Sequence, residues 1–384
     1  SLEFFHQLYG NTDREINPGS GGRVFNNHFS VPNINPDGSW RDLTKQKNSS
    51  SDISPTAGQM PRLLGLAYAS KLFRQNIELH RFKTLSIKGN EVAFGSIGDA
   101  STSEGYFWET MNAAGVLQVP MAVSVYDDGY GISVPKKYQT TKGSISEILK
   151  GFENEPGRPG IKILKGKGWD YPGLVKLYEE GITFCRNEHI PVLFHIEEVT
   201  QPLGHSTSGS HERYKSEERL KWEVEYDPIQ KMKEWIIDQK IATVEELDAI
   251  ASGAEEEAKE SRKKSWEMFQ NPIKIERDAL VKIIGDRTCK CHEEAKEASV
   301  DKITEELTKV ISPIRKDNFM AARKILRNVC ESCLKSDNLK EELHGGLKRN
   351  YADASLSYDS FLYNETSRSV LKVKPVVPVY SEKS

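Results

Sequence analysis

The chain has 384 residues, of which 37% are hydrophobic and 28% charged, and its formal net charge is −3 at pH 7. A chain of this length and composition can bury a large core and is expected to carry two structural units, while its nearly balanced charge gives no reason to expect a nucleic-acid partner. No apolar run is long enough for a membrane span and the first residues are not a signal peptide, so we predict no membrane partner and a cytoplasmic location.

The predicted elements alternate between helices and strands. The start, which lacks Met and has helix-like sequence, is interpreted as that of a fragment or processed chain, and residues 11–53 predict a long ordered loop rich in Gly, Asn, Ser and Pro. Apolar periodicity then predicts a helix at 61–74, a strand at 92–97, a helix at 102–118, and strands at 120–125 and 161–164, followed by a helix at 171–187 and a strand at 192–196. This alternation predicts an α/β fold with a doubly wound parallel sheet.

Beyond residue 213 the sequence changes to charged amphipathic helices, for example at 227–237 and 243–269. This pattern continues to residue 350, after which helical periodicity is lost and the chain ends in a Pro- and Val-rich segment typical of an extended linker. We therefore predict an α/β domain over residues 1–213, a helical C-terminal extension over 214–350 and a linker or tail over 351–384.

Two acidic segments follow neighbouring predicted strands. Asp99 ends the first strand and Asp128 the next, 29 residues later, which is the length of a strand, helix and strand unit. Parallel strands point the same way, so both acids should meet at one edge of the sheet, where oxygen ligands suit Mg²⁺ and the phosphates of a bound ligand. Either cluster alone would be typical of a structural turn, but the complete crossover unit favours a cation and diphosphate site.

These segments carry a family resemblance. Gly-Asp-Ala-x-x-x-Glu-Gly at 98–105 and Asp-Asp-Gly-Tyr-Gly-Ile-Ser at 127–133 resemble the thiamine diphosphate motif in the α subunit of the first, decarboxylating component of 2-oxo acid dehydrogenase complexes. The segment at 54–61 resembles the family's aminopyrimidine-contacting loop, the segment at 204–208 its active-site and phosphorylation loop, and the segments at 2–11 and 19–28 the region after its first helices. The resemblance covers residues 1–270 and is closest to the branched-chain type.

The resemblance implies the thiamine diphosphate-binding fold, with thiamine diphosphate and Mg²⁺ as cofactors. His205 would be the catalytic residue, able to donate to the diphosphate or to a substrate carboxylate. The implied metal ligands are Asp99, Asp128 and Tyr130. The implied cofactor-binding residues are Ser54, Thr56, Gly98, Asp99, Ala100, Ser101, Asp128, Ile132 and His205.

The implied function is oxidative decarboxylation of a 2-oxo acid with acyl transfer to lipoamide. The implied partners are a β part, fused or separate, a lipoyl-bearing acyltransferase and an α2β2-type assembly. The β part supplies the glutamate that activates the aminopyrimidine, and because we identify no candidate for it here, we expect the chain alone to be inactive. Alternatives are an acetoin dehydrogenase, a transketolase-like enzyme, and a non-catalytic partner subunit.

Two departures from the family motif affect its charge and backbone. Ala100 replaces a glycine, which is tolerable if the backbone there has no positive φ. Asp127 and Asp128 replace two asparagines, and the added negative charge beside a diphosphate calls for compensation by a base. The candidates in the sequence are Lys136, Lys137 and Arg23.

Several other residues have a structural interpretation. Glu104 fits a capping box with Ser101, and His211 is interpreted as a surface residue. Hydroxyl groups at 206, 207, 208 and 210 are interpreted as turn residues rather than phosphorylation sites, with Arg213 and Tyr214 as the loop's distal anchor. Reduced surface thiols are favoured over a zinc site for the residues Cys289, Cys291, His292, Cys330 and Cys333.

Overall fold

The computed structural model describes residues 1–384 except 14, 18, 20, 23–27, 29, 36, 51–54, 206–210, 288–293, 331–333, 359–366, 368, 370, 371 and 379–384, and it describes only the backbone at 294–296, 334, 335 and 356. The chain forms two compact units. One comprises Ser1–Arg41, Asn48–Ser51 and Ser252–Ser384, and the other comprises Asp42–Lys47 and Asp52–Ala251.

The elements alternate as the sequence predicts. In chain order they are α1 (Leu2–Leu8), α2 (Met60–Gln75), β1 (Ala93–Gly98), α3 (Gly105–Leu117), β2 (Met121–Tyr126), β3 (Tyr130–Gly131), β4 (Val134–Pro135), α4 (Ile145–Ile148), β5 (Lys162–Lys167), α5 (Tyr171–Glu188), β6 (Val192–Glu197), α6 (Glu217–Glu225), α7 (Pro228–Asp238), α8 (Val244–Gly285), α9 (Glu294–Thr308), α10 (Arg315–Asn328) and α11 (Leu334–Tyr358).

The described part of the second unit contains a parallel sheet of four strands in the order β1-β2-β6-β5, beside a small antiparallel β3-β4 hairpin. In register, Ile97 pairs with Val125, and Val125 pairs with His195. The carboxyl ends of β1, β2 and β6 therefore lie at one edge of the sheet. This confirms the predicted α/β fold and the shared direction of the strands that precede Asp99 and Asp128.

Helices cover both faces of this sheet. The strand β2 is buried on both sides, as is typical of a central parallel strand. Val123 and Val125 face a core that includes Phe107 of α3, whereas Ala122 faces a second core with Phe194 and the helix α5. The alternation places successive β2 side chains in opposite cores and holds the end of the strand rigidly.

The first unit contains the later helices, which pack around their own apolar core. Ile284 of α8, Ile325 of α10 and Leu343 of α11 are among its buried residues, so the predicted helical C-terminal region is confirmed. Helix α11 ends at Tyr358, beyond residue 350, where helical periodicity was predicted to end. The three domain ranges given from the sequence stay predictions. None of the helices in the described residues is long and apolar enough to cross a membrane.

Candidate functional site

Three buried carboxyl groups meet at the carboxyl edge of the sheet. Asp99 follows β1, and Asp127 and Asp128 follow β2, and these residues are 3%, 3% and 6% exposed. Asp99 Oδ2, Asp127 Oδ1 and Asp128 Oδ2 are buried without a hydrogen-bond partner. Unpartnered anionic oxygens in such a position are costly to bury, so the site is suited to a cation that would bind them.

The proximity of these acids shifts their protonation. Burial, together with the charges of Asp127 and Asp128, raises the pKa of Asp99 to about 7. Burial also raises the pKa of Asp128, although His205 and other nearby bases oppose this shift. The cluster is therefore repulsive when all three groups are ionised, and a divalent cation would relieve that repulsion.

Asp128 lies between two bases from later in the chain. Its Oδ1 accepts a hydrogen bond from the Tyr130 backbone N–H at 3.2 Å, and its Oδ2 lies 3.3 Å from His205 Nδ1, without the alignment of a hydrogen bond. Arg219 Nη2 donates to the Asp128 carbonyl oxygen at 2.9 Å. The structure thus brings Asp128 and His205, which the sequence proposed separately, to one place.

The extra charge of Asp127 is compensated within the fold. Lys136 Nζ donates to Asp127 Oδ2 at 2.7 Å, and His195 Nε2 lies 3.0 Å from the same oxygen. Burial opposes ionisation of Asp127, but these two donors outweigh it and hold its pKa below the usual value. Of the bases considered from the sequence, Lys136 has this role. Lys137 lies over the Tyr138 ring, and residue 23 lies outside the described residues.

The turn after β1 packs against the β3-β4 hairpin. The backbone of Ala100 has no positive φ, so an alanine can replace the family's glycine here without backbone strain. A Cβ added to Gly131 would lie 2.8 Å from the Cβ of Ala100. It would lie 2.5 Å from Nε2 and 2.7 Å from Oε1 of Gln139. Gly131 is therefore needed opposite Ala100. Gly98 and Ser101 flank the acid in the same segment, at the end of β1 and in the turn.

Ile132 has an unusual backbone conformation at the tip of this hairpin. Its φ is +58°, in the left-handed region that β-branched residues rarely adopt, and its side chain is 58% exposed. Strain of this kind persists where the surrounding structure imposes it and is often found beside ligands. The assignment of Ile132 to cofactor binding stays a prediction, but its exposed apolar side chain is available for contact.

The predicted aminopyrimidine loop lies beside the acidic segment. Thr56 Oγ1 donates to Glu104 Oε1 at 2.5 Å, whereas residue 54 lies outside the described residues. The capping box expected between Ser101 and Glu104 is wrong, since Glu104 itself occupies the N-cap of α3 and makes no side-chain capping bond. The helix begins later than the box would require, and this leaves the Glu104 carboxylate free to hold Thr56.

Sequence reasoning missed a buried ionic network behind Asp128. Lys215 Nζ donates to both carboxylate oxygens of Glu223 at 2.7 and 2.9 Å, and Arg219 Nε donates to Oε1 at 2.8 Å. The Lys215 and Glu223 side chains are 0% and 1% exposed. Both bases also lie near the Tyr130 ring. Such a network fixes its members, since losing one partner leaves an uncompensated buried charge.

The predicted active-site loop is described only at its two ends. Residues 206–210 lie outside the described residues, so the interpretation of their hydroxyl groups stays open. Tyr214, at the distal end, has its ring 5.7 Å from that of Tyr130, so that end does contact the acidic loop. The side chain of His211 is partly buried, at 15% exposed, and its Nε2 lies 3.4 Å from Glu212 Oε1; its interpretation as a surface residue stays a prediction.

Within the described residues, no three His, Cys, Asp or Glu side chains are grouped so that they alone could hold a metal ion. A cation bound by Asp99 and Asp128 would therefore need further oxygen ligands that are not His, Cys, Asp or Glu side chains. The predicted ligands of this kind are the Tyr130 carbonyl and the phosphates of a bound ligand. Cys330 is partly buried, and the other residues of the possible zinc set, at 289, 291, 292 and 333, lie outside the described residues.

Comparison with known proteins identifies the family. The model of the dehydrogenase E1 component family matches residues 33–274, which is more than half of the chain. The chain belongs to the dehydrogenase E1 component family. This membership confirms the resemblance drawn from the two acidic segments, and it places both segments, Thr56 and His205 within the matched region.

Three relatives illustrate the similarity. The α subunit of mouse mitochondrial 2-oxoisovalerate dehydrogenase is 27% identical over 70% of this chain and 50% of its own length. The α subunit of 3-methyl-2-oxobutanoate dehydrogenase from Mycobacterium tuberculosis is 34% identical over 38% of each chain. The α subunit of the pyruvate dehydrogenase E1 component from Porphyra purpurea is 31% identical over 43% of this chain and 45% of its own. The chain thus spans about half the length, or less, of these relatives.

Proposed function

We propose that this chain is the α-type part of a thiamine diphosphate- and Mg²⁺-dependent 2-oxo acid dehydrogenase that transfers an acyl group to lipoamide. The observation that carries the proposal is the set of unpartnered, buried carboxylate oxygens of Asp99 and Asp128 at the carboxyl edge of the sheet, in a member of the dehydrogenase E1 component family. A cation bridging these oxygens to a diphosphate would neutralise the cluster.

The residues present fit such a cofactor. Asp99, Asp128 and the carbonyl of Tyr130 would hold the cation, while the Gly98–Ser101 turn would lie along the diphosphate. Thr56, with Ser54, would contact the aminopyrimidine, and Ile132 would offer apolar contact. When bound, thiamine diphosphate supplies the nucleophilic carbon and the electron sink for decarboxylation.

His205 would act on the substrate side of this arrangement. Its ring lies beside Asp128, with 25% of the side chain exposed, so it can present a nitrogen to a bound diphosphate or a 2-oxo acid carboxylate. A histidine in this place can orient the substrate and stabilise charge that develops during decarboxylation. We propose it as the catalytic residue of this chain.

We propose 3-methyl-2-oxobutanoate as the substrate, because two of the relatives described are named as dehydrogenases of this acid, which is also called 2-oxoisovalerate. Pyruvate is the second candidate, since another relative is the α subunit of a pyruvate dehydrogenase component. We further propose a β part, an α2β2-type assembly and a lipoyl-bearing acyltransferase as partners. The mouse relative is named mitochondrial, and the cytoplasmic location of this chain stays a prediction.

The test combines binding with turnover. The complete protein, together with its β part, is titrated calorimetrically with thiamine diphosphate at saturating Mg²⁺ and again with EDTA, and CO₂ release is measured with 3-methyl-2-oxobutanoate and with pyruvate. We expect Mg²⁺-dependent binding, turnover only with the β part, and a higher kcat/KM for the branched acid. Absence of binding would support a non-catalytic partner, and turnover by the purified single chain would require an activating acid within it.

A further inference from the structure

A buried histidine lies beneath the candidate site and has no place in the function proposed above. His195 stands in the central strand β6 and is 0% exposed. Its Nε2 lies 3.0 Å from Asp127 Oδ2, and its Nδ1 lies 2.9 Å from Ser146 Oγ. Both ring nitrogens are therefore engaged, one toward the acidic cluster and one toward the helix α4.

The chemistry of these partners fixes the role of each nitrogen. An ionised carboxylate only accepts hydrogen bonds, so Nε2 carries a proton and donates to Asp127. In the neutral ring Nδ1 is then an acceptor, and the Ser146 hydroxyl donates to it. Ser146 Oγ also lies 3.2 Å from Ser144 Oγ. The contacts of both ring nitrogens hold the ring in one orientation. Residues that hydrogen-bond a metal-binding histidine orient its ring in the same way.

Asp127 is held from several directions. Besides the contacts of Lys136 and His195, its backbone N–H donates to the Ile196 carbonyl at 2.8 Å, and its own carbonyl accepts from the Val199 N–H at 3.1 Å. These backbone bonds extend the pairing of β2 and β6 past the ends of the strands. The direction in which the next residue, Asp128, leaves the sheet is set by this attachment.

We propose that His195 is a positioning residue for the cofactor site: Lys136 compensates the charge of the Asp127 carboxylate and His195, as a second donor, orients it, so that Asp128 can serve a cation beside a diphosphate. The inference rests on the proposed function. Two donors on one oxygen spread the negative charge that a carboxylate adds in place of a neutral amide. Without His195, the buried Asp127 would keep a single donor, and its charge would act more strongly on an anionic ligand.

The role is tested by the affinity of the complete protein for thiamine diphosphate at saturating Mg²⁺, measured by calorimetry. His195→Leu should weaken binding about tenfold. His195→Gln, whose amide can still donate to the Asp127 carboxylate, should stay within about threefold of the wild type. His189→Asn is the matched control, because His189 is also buried but its Nε2 contacts the Gly89 carbonyl, and it should leave the affinity unchanged.

A double substitution separates positioning from a merely structural role. In Asp127→Asn no charge needs a second donor, so adding His195→Leu to it should weaken binding less than threefold. Additive losses would overturn the proposal, as would wild-type affinity in His195→Leu. If His195→Leu does not fold, Lys136→Met replaces it, since Lys136 is the other donor and is partly exposed; its loss of affinity should likewise disappear in the Asp127→Asn background. A wild type that does not bind thiamine diphosphate overturns the proposed function as well, whereas a binding wild type with unaffected variants overturns this inference alone.

Discussion

The raised pKa of Asp99 makes the stability of the cofactor-free protein depend on pH. Burial and the charges of Asp127 and Asp128 raise this pKa from 3.8 to about 7. The carboxyl group therefore stays protonated in the folded protein at pH values where it is already ionised in the unfolded chain. At pH values between these two pKa values, folding takes up a proton. The free energy of unfolding therefore falls as the pH rises, by up to about 1.4 kcal/mol per pH unit.

The substitution Asp99→Asn removes this titration while keeping the size of the side chain. In the wild type, the loss of unfolding free energy caused by Asp99 is absent below about pH 3.8 and complete above about pH 7. Its upper limit is about 4 kcal/mol, from three pH units at about 1.4 kcal/mol each. We expect the variant to gain about 2 kcal/mol relative to the wild type at pH 7.5, because a buried amide retains part of the cost of desolvation. At pH 5 the gain should be smaller by about 2–3 kcal/mol, because Asp99 loses most of its contribution over the two pH units between pH 5 and its folded pKa of about 7.

Urea unfolding in EDTA, followed by tryptophan fluorescence at pH 5 and pH 7.5, measures this difference. Glu109→Gln, a change of an exposed acid on α3, is the matched control and should reproduce the pH dependence of the wild type. The stabilised variant should also lose Mg²⁺-dependent binding of thiamine diphosphate, because the cation loses an anionic ligand. An equal gain at both pH values, or a variant less stable than the wild type at pH 7.5, would refute the electrostatic reasoning.

Three further predictions concern neighbouring features. Asp128→Asn should bind thiamine diphosphate as well as or better than the wild type, and a calorimetric loss above tenfold, about 1.4 kcal/mol, would show that the carboxylate is required. His205→Ala should lower turnover of the assembly with its β part about a hundredfold while changing the free energy of unfolding by less than about 1 kcal/mol; comparable losses in both would favour a structural role. Gly131→Ala should destabilise by about 1–3 kcal/mol through overpacking against Ala100 and its neighbours, and Ala100→Gly should restore part of this in urea unfolding; an unchanged single variant contradicts the close approach.

The part of the site that the sequence predicted is the part that follows from strand direction. Asp99 and Asp128 end parallel strands one crossover apart, so their meeting at one edge needs no knowledge of other contacts. His205 was instead implied by the resemblance of the segment at 204–208, and in the structure it follows β6. The structure then supplied the distance between His205 and Asp128, which no spacing along the chain specifies.

The supporting contacts could not be predicted because the fold, rather than spacing along the chain, selects the partner of each residue. Lys136 was one of several bases near enough in the sequence to compensate Asp127, and only folding selects among them. His195 did leave a signal, as the single histidine within the apolar strand Val192–Glu197, but its partner depends on the register of β6 against β2. Arg219 and Glu223 resemble an ordinary charged helix face, and nothing in their spacing reveals that Glu223 is buried.

The strand order also determines when the acidic edge of the sheet can form during folding. β6 is made after β5 but pairs with it on one side and with β2 on the other, so β5 has no strand partner within this sheet until β6 is inserted. The β1-β2 and β5-β6 pairs each join strands about thirty residues apart, whereas the β2-β6 pair joins strands some seventy residues apart. Such distant pairing slows folding, and the β2-β6 pairing that joins the two halves of the sheet is also the one that brings His195 to Asp127.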